Sequence, residues 1–209
     1  MQNSENETGV RNFIHHLVPV ALLISFAFLT GCDSNSAPLA PRLDVWSASE
    51  ADVAKLGPEV DALGIKIRPP QGFSMVDPRD GPNGSKIVAW VGERRNDGSA
   101  ASVQLMIVTV PESEQVPTAA AALDRLMGAV KRNRDSWNQS PTELGSINGL
   151  EFARVKWNAF EPQTMNPMDG YMYVAIDGDK LYQLATQDIR MYKDTALELS
   201  NASILSFKK

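Results

Sequence analysis

The chain has 209 residues, about one and a half times an ordinary domain length, so one domain plus an appendage is the first expectation. With 43% hydrophobic and 22% charged residues it has enough apolar surface for a packed core, which excludes wholesale disorder. Its net charge of -5, from 20 basic and 25 acidic residues, gives no concentration of cations for phosphate, so nucleic acid is not expected as a partner. The single cysteine, Cys32, and the two histidines, His15 and His16, all fall in the first 32 positions. If that segment is removed, the rest of the chain lacks the commonest general base, the commonest transition-metal ligand and any thiol nucleophile.

From Leu17 to Thr30 the chain reads LVPVALLISFAFLT, an uncharged run too short to span a bilayer comfortably but right for a signal-peptide core. The following string Leu29-Thr30-Gly31-Cys32 resembles the bacterial lipobox, in which small residues precede a cysteine that is acylated before cleavage. A polar stretch, Asp33-Ser34-Asn35-Ser36, comes directly after it. The resemblance implies that residues 1–31 are a lipoprotein signal peptide and that Cys32 is the lipidated first residue of the mature chain. It implies attachment to the cell membrane by lipid, facing the periplasm or the exterior, because two or more acyl chains hold stably at about 0.8 kcal/mol per buried methylene. The competing reading makes the run a short anchor or a buried helix and Cys32 incidental.

Residues 32–62 read as a tether, Ser-, Ala- and Pro-rich at first, with a helical possibility from Glu50 to Leu56 that Gly57-Pro58 interrupts. The folded domain is expected over residues 63–209. Ile65 to Arg68 is a short strand, and Pro78 to Gly84 a turn-rich loop. Ile87 to Glu93 and Ser102 to Val110 are strands by β-branched content; the second, apolar at nearly every position, is expected to lie centrally with both faces covered. Pro117 to about Asn138 has Leu123, Leu126, Met127, Val130 and Trp137 at helical spacing. The pattern then switches to period two: Glu143 to Ile147 and Leu150 to Phe160 are joined by the hairpin dipeptide Asn148-Gly149. After a loop, EPQTMNPMDG, come strands from Tyr171 to Ile176 and Lys180 to Gln187, then a closing helix to Leu205. The order predicts an α+β fold, a largely antiparallel sheet with helices packed on it.

That order, with the Ile65-Lys66-Ile67-Arg68-Pro69-Pro70-Gln71-Gly72-Phe73 opening, the Asn148-Gly149 hairpin and the terminal Ile204-Leu205-Ser206-Phe207, resembles the PsbP-like (Mog-type) α-β-α sandwich. The resemblance implies a non-enzymatic scaffold, since family members assist a photosynthetic complex or bind a small GTPase. It carries no functional residue over to this chain.

A serine-histidine-acid triad cannot be assembled without a histidine in the domain, and no phosphate-binding glycine motif is present. Paired carboxylates remain arithmetically open, with Glu151, Glu161, Asp169 and Asp188 as candidates. Asp177-Gly178-Asp179 lacks the other ligands of a calcium loop and reads as a hairpin turn. Met165, Met168 and Met172 are candidate soft ligands for copper(I); their commoner use is as flexible apolar pins. Trp90, Trp137 and Trp157 read as core, whereas Trp46, in the tether, is the tryptophan most free to meet a partner. The function expected is therefore a membrane-anchored binding or accessory module for an envelope protein, not an enzyme and without a cofactor. The alternatives are a soft-metal or small-ligand binding protein, or a carboxylate-based hydrolase.

Overall fold

The structure, a computed structural model, describes residues 43–112, 115–161 and 164–209. The candidate signal peptide, the Leu29-Thr30-Gly31-Cys32 string and residues 32–42 of the tether lie outside the described residues. In chain order the elements are β1 (Asp44–Val45), α1 (Glu50–Val53), β2 (Val60–Ala62), β3 (Ile65–Ile67), β4 (Ser74–Asp80), β5 (Lys86–Val91) and β6 (Ser102–Thr109). They continue with α2 (Ala119–Arg132), β7 (Asp135–Gln139), β8 (Glu143–Ile147), β9 (Leu150–Phe160), β10 (Pro167–Asp177), β11 (Lys180–Ile189) and α3 (Lys193–Leu205).

Among the described residues nine strands form one sheet in the order β1-β8-β9-β10-β11-β6-β5-β4, with β7 also paired to β9. Among the described pairings only β1–β8 is parallel. The fold is α+β. The predicted centrality of β6 is met: it pairs with β5 on one side and β11 on the other.

Period-two alternation sends each central strand into two separate cores. On one face Phe152, Tyr173, Ala175, Tyr182, Leu184, Val103 and Leu105 join Ile204 of α3 and Ile65 and Ile67 of the β2–β3 hairpin. On the other face Ala153, Val155, Met172, Val174 and Leu181 pack under Leu123, Leu126, Met127 and Val130 of α2. Among the described residues the result is helix on sheet on helix, with α2 covering one side. Thr118 caps α2 by accepting from the Ala121 amide at 3.2 Å, and its apolar residues fall on a single stripe.

The chain end locks the first face. Phe207 is buried edge-on to Phe152 and Tyr182, with ring centroids 5.4 and 5.7 Å away. Its carbonyl accepts from the Asn148 side chain at 2.6 Å, so the β8–β9 turn, where Asn148 and Gly149 both take positive φ, is tied to the C-terminus. Asp177-Gly178-Asp179 is indeed the β10–β11 turn, and Asp177 forms an ion pair with Lys209.

Four expectations need correction. Residues 44–62, assigned to the tether, are docked: β1 pairs with β8, Leu56 is buried, and Arg68 donates to the carbonyls of Gly57 and Leu56 at 2.9 and 3.2 Å. Pro78 does not begin a loop but sits in the edge strand β4 at a register shift between Val76 and Arg79, where a missing amide proton is tolerated. Trp137 is not helical: α2 ends at Arg132, Ser136 has φ 50, and Trp137 lies on β7 stacked on Trp157 across the strand pair. β10 begins at Pro167, before the expected Tyr171, because Gly170 lets the strand run beneath the Trp157 ring, where a Cβ would collide.

Gly145 of β8 plays the matching part for β1, because a Cβ there would run into the Trp46 ring. Gly145→Ala is expected to push Trp46 off the sheet and free the β1 segment; amide hydrogen exchange of Trp46, whose N–H donates to the Ser146 carbonyl at 2.9 Å, reads this directly.

Candidate functional site

Of the four candidate carboxylates, the structure brings two together. Asp169 and Asp188 face each other across β10 and β11 and are both buried, whereas Glu151 is exposed on β9. Directly opposed like charges repel, and each aspartate has an arginine against it. The Arg95 guanidinium, from the β5–β6 connection, grips Asp188 with two hydrogen bonds of 2.6 and 2.9 Å, and the Ile189 amide adds a third at 2.8 Å. Arg190 donates to Asp169 at 3.1 Å and lies over the Phe160 ring. The two carboxylates are thus engaged as hydrogen-bonded acceptors, an arrangement that fastens a loop to the sheet.

Trp46 is not free. Its indole packs edge-on to Tyr173, and the Arg154 guanidinium lies 4.0 Å from its ring centroid. Arg154 is held in turn by Glu143 at 2.8 Å. The Tyr173 hydroxyl donates to Asn201 of α3 at 2.7 Å, and burial pushes its pKa up to about 12, with Arg154 partly opposing the shift. Beside this group Tyr171, Lys156 and Glu198 form a second, more exposed set, with Lys156 5.0 Å from the Tyr171 ring centroid. The β1 segment is therefore bound to the sheet by the aromatic residue that sequence reading left available to a partner.

The methionines divide. Met168 and Met172 point under α2, the latter only 2% exposed, and the Met168 sulfur accepts from Arg134 at 3.7 Å. Met165 sits in a turn at φ 56 and is 56% exposed. Two serve as apolar packing and the third faces solvent.

Sequence reading did not single out one further place. Beyond the C-terminal end of α2 a cavity of about 20 Å³ opens against β6, β10 and β11, lined by Ser102, Gln104, Arg134, Trp157, Gln183 and Gln187 among others. Gln183 is 2% and Trp157 4% exposed, yet Gln183 Oε1 and Trp157 Nε1 have no hydrogen-bond partner. Burial lowers the pKa of Arg134, a cost that Glu161 offsets only electrostatically and in part. The legible signal was in β11, where Gln183 and Gln187 alternate with Leu181 and Ala185 on the face that buries against α2.

Comparison with solved structures shows that the fold is PsbP-like. The cyanobacterial PsbP (CyanoP) from Synechocystis sp. PCC 6803 superposes with a TM-score of 0.52 at 15% identity, covering 83% of this chain and 97% of that one. LpqN of Mycobacterium tuberculosis, a protein involved in cell envelope biogenesis, superposes with a TM-score of 0.51 at 8% identity, covering 73% and 84%. No protein-family model and no curated sequence matches the chain.

Two predictions follow from the charges. Arg95→Met strands the Asp188 carboxylate in the interior and is expected to lower stability in urea unfolding by about 3 kcal/mol, whereas the double change Arg95→Met with Asp188→Leu recovers most of that. Because the folded pKa of Tyr173 lies above the ordinary 10, its contribution is complete below pH 10 and is lost as pH rises toward about 12. Tyr173→Phe should flatten the alkaline limb of the stability profile over that window.

Proposed function

We propose that the protein is a lipid-anchored extracytoplasmic module, held at the cell membrane through Cys32, that binds another protein of the envelope and catalyses no reaction. The observation that carries this reading is a fold of the kind seen in CyanoP and in LpqN, on a chain that has a lipobox-like string just before its first strand. Twelve positions separate Cys32 from Asp44, which keeps the sheet within about 40 Å of the lipid even when the segment is fully extended. No helix among the described residues is long and apolar enough to cross a membrane, which is compatible with attachment through acyl chains.

The non-enzymatic part of the reading is supported by how the opposed carboxylates are used. Asp169 and Asp188 are buried and held by arginines, in contrast to the solvent-facing acid and nucleophile that a glycosidase needs. The different surroundings of Met165 and of Met168 and Met172 favour packing over a copper(I) site.

Metabolic labelling with a palmitate analogue should mark the parent protein and leave Cys32→Ser unlabelled and released from the membrane fraction. Crosslinking in intact cells, followed by detergent extraction, should recover an envelope protein with the parent and lose it with Cys32→Ser. Equal labelling of the two forms would remove the anchor, and recovery of no crosslinked protein would remove the partner.

A further inference from the structure

α2 rests on β9 and β10, while β7 runs along the opposite edge of β9 from β10. Between the flank of the helix and β7 lies an open groove of about 460 Å³. That volume falls within the usual span of small-ligand sites, about 300 to 1,000 Å³. One wall is a stripe of α2, with Asp124, Gly128 and Lys131 on successive turns; the other is Trp137 and Gln139 of β7.

Gly128 is the residue that packing does not explain. A glycine inside a helix is destabilising relative to alanine, and close approach of a neighbour is the ordinary reason to keep one. Here a Cβ would meet nothing within 4 Å, so no contact requires the missing side chain, and its effect is to leave the middle of the groove clear. Across from it, Trp137 is half-buried. Trp157 stacks on one side of its ring, with centroids 5.3 Å apart and planes at 14°, and its indole N–H donates to Gln139 Oε1 at 3.0 Å. With one face and the polar edge already engaged, what Trp137 offers the groove is its second, apolar face.

The polar groups on the walls are only partly used. Asp124 accepts from the Thr142 hydroxyl at 3.3 Å through one carboxylate oxygen, and among the described residues the other has no partner. The Lys131 ammonium likewise has no ion-pair partner among the described residues, and the Gln139 NH2 group remains as a donor. One carboxylate and one ammonium cancel, which suits a neutral ligand. The carboxylate requires donors, the ammonium and the carboxamide require acceptors, and the indole requires a flat apolar face. A pyranose ring with equatorial hydroxyls combines these features, with C–H groups on its faces and hydroxyls that both donate and accept around its edge. Asp124 and Lys131 are separated by about 10 Å along the helix axis, room for one such ring between them. We propose that this groove binds a neutral hexopyranose residue, stacked on Trp137 over Gly128, with hydroxyls donating to Asp124 and accepting from Lys131 and Gln139. None of these residues precedes α2, so the site does not rest on the anchor at Cys32.

The test follows the indole N–H resonances of the full chain, solubilised in a detergent without a sugar headgroup. Trp137 is one of four tryptophans and is assigned by Trp137→Phe. Methyl β-D-glucopyranoside should shift the Trp137 signal saturably, with a Kd of about 10 mM or tighter, whereas sorbitol, which has hydroxyls and no ring face, should not. Gly128→Leu fills the middle of the groove with a better helix former, and should raise the thermal midpoint while abolishing the saturable shift. Asp124→Asn, which keeps an acceptor for Thr142, should weaken binding about fivefold or more and tests the site even if Gly128→Leu folds poorly. The same titration of Cys32→Ser should be unchanged, which separates failure of this site from failure of the anchor. Absence of saturation, an equal response to sorbitol, or binding that survives both Gly128→Leu and Asp124→Asn would each overturn the proposal.

Discussion

Everything in this protein depends on a sheet whose central strands must be covered on both faces. β9, β10, β11 and β6 send alternate residues into two cores, and neither core closes without a further layer. α2 supplies that layer on one side. On the other, α3 cannot cover the whole face, and the β2–β3 hairpin and Phe207 complete it. The C-terminal residues are structural for this reason: burial of Phe207 against Phe152 and Tyr182 is worth about 2 to 3 kcal/mol, and its carbonyl also holds the Asn148 turn. Two glycines make the covering possible, Gly145 beneath Trp46 and Gly170 beneath Trp157.

The same constraint sorts the polar residues. Where the covering layer is incomplete, the sheet faces carry charges and aromatic rings in place of aliphatic side chains. On the α3 side these groups satisfy one another: Arg95 with Asp188, Arg190 with Asp169, and Arg154 with Glu143 and the rings of Trp46 and Tyr173. On the α2 side they do not, and Gln183, Trp157 and Arg134 surround a small void. The α3 side also holds unpaired atoms, since the buried hydroxyls of Ser200 and Ser203 on α3 have no hydrogen-bond partner.

The sheet core was legible because its residues obey local rules. Asn148-Gly149 and Asp177-Gly178 fix their hairpins through backbone sterics, and the spacing of Leu123, Leu126, Met127 and Val130 fixes α2. Trp137 misled because it continues the helical period by coincidence; what ends the helix is the polar run from Asn133 and the positive φ at Ser136, sustained by pairing with β9 and stacking on Trp157. β1, β2 and β7 are short, with little pattern of their own, and exist because a long neighbour offers an open edge or a hydrophobic face. The candidate carboxylates illustrate the same divide: composition named Asp169 and Asp188 among many acids, while only register made them opposite neighbours and only a loop from β5 brought Arg95 to one of them.

By itself the sequence determined the α+β class, the order of the main strands and helices, the two tight hairpins, the lipobox-like string ending at Cys32, and the absence of histidine and cysteine after it. These follow from local sterics, periodicity and composition, which need no knowledge of distant neighbours. Tertiary structure alone decided that the segment around Trp46 is docked, that the opposed aspartates are neutralised by arginines, that Met165 parts company with Met168 and Met172, and that Gln183, Trp157 and Arg134 share a cavity. Each of these is a relation between residues far apart in the chain, set by strand register and by the packing of helices over two faces, and no single segment contains it.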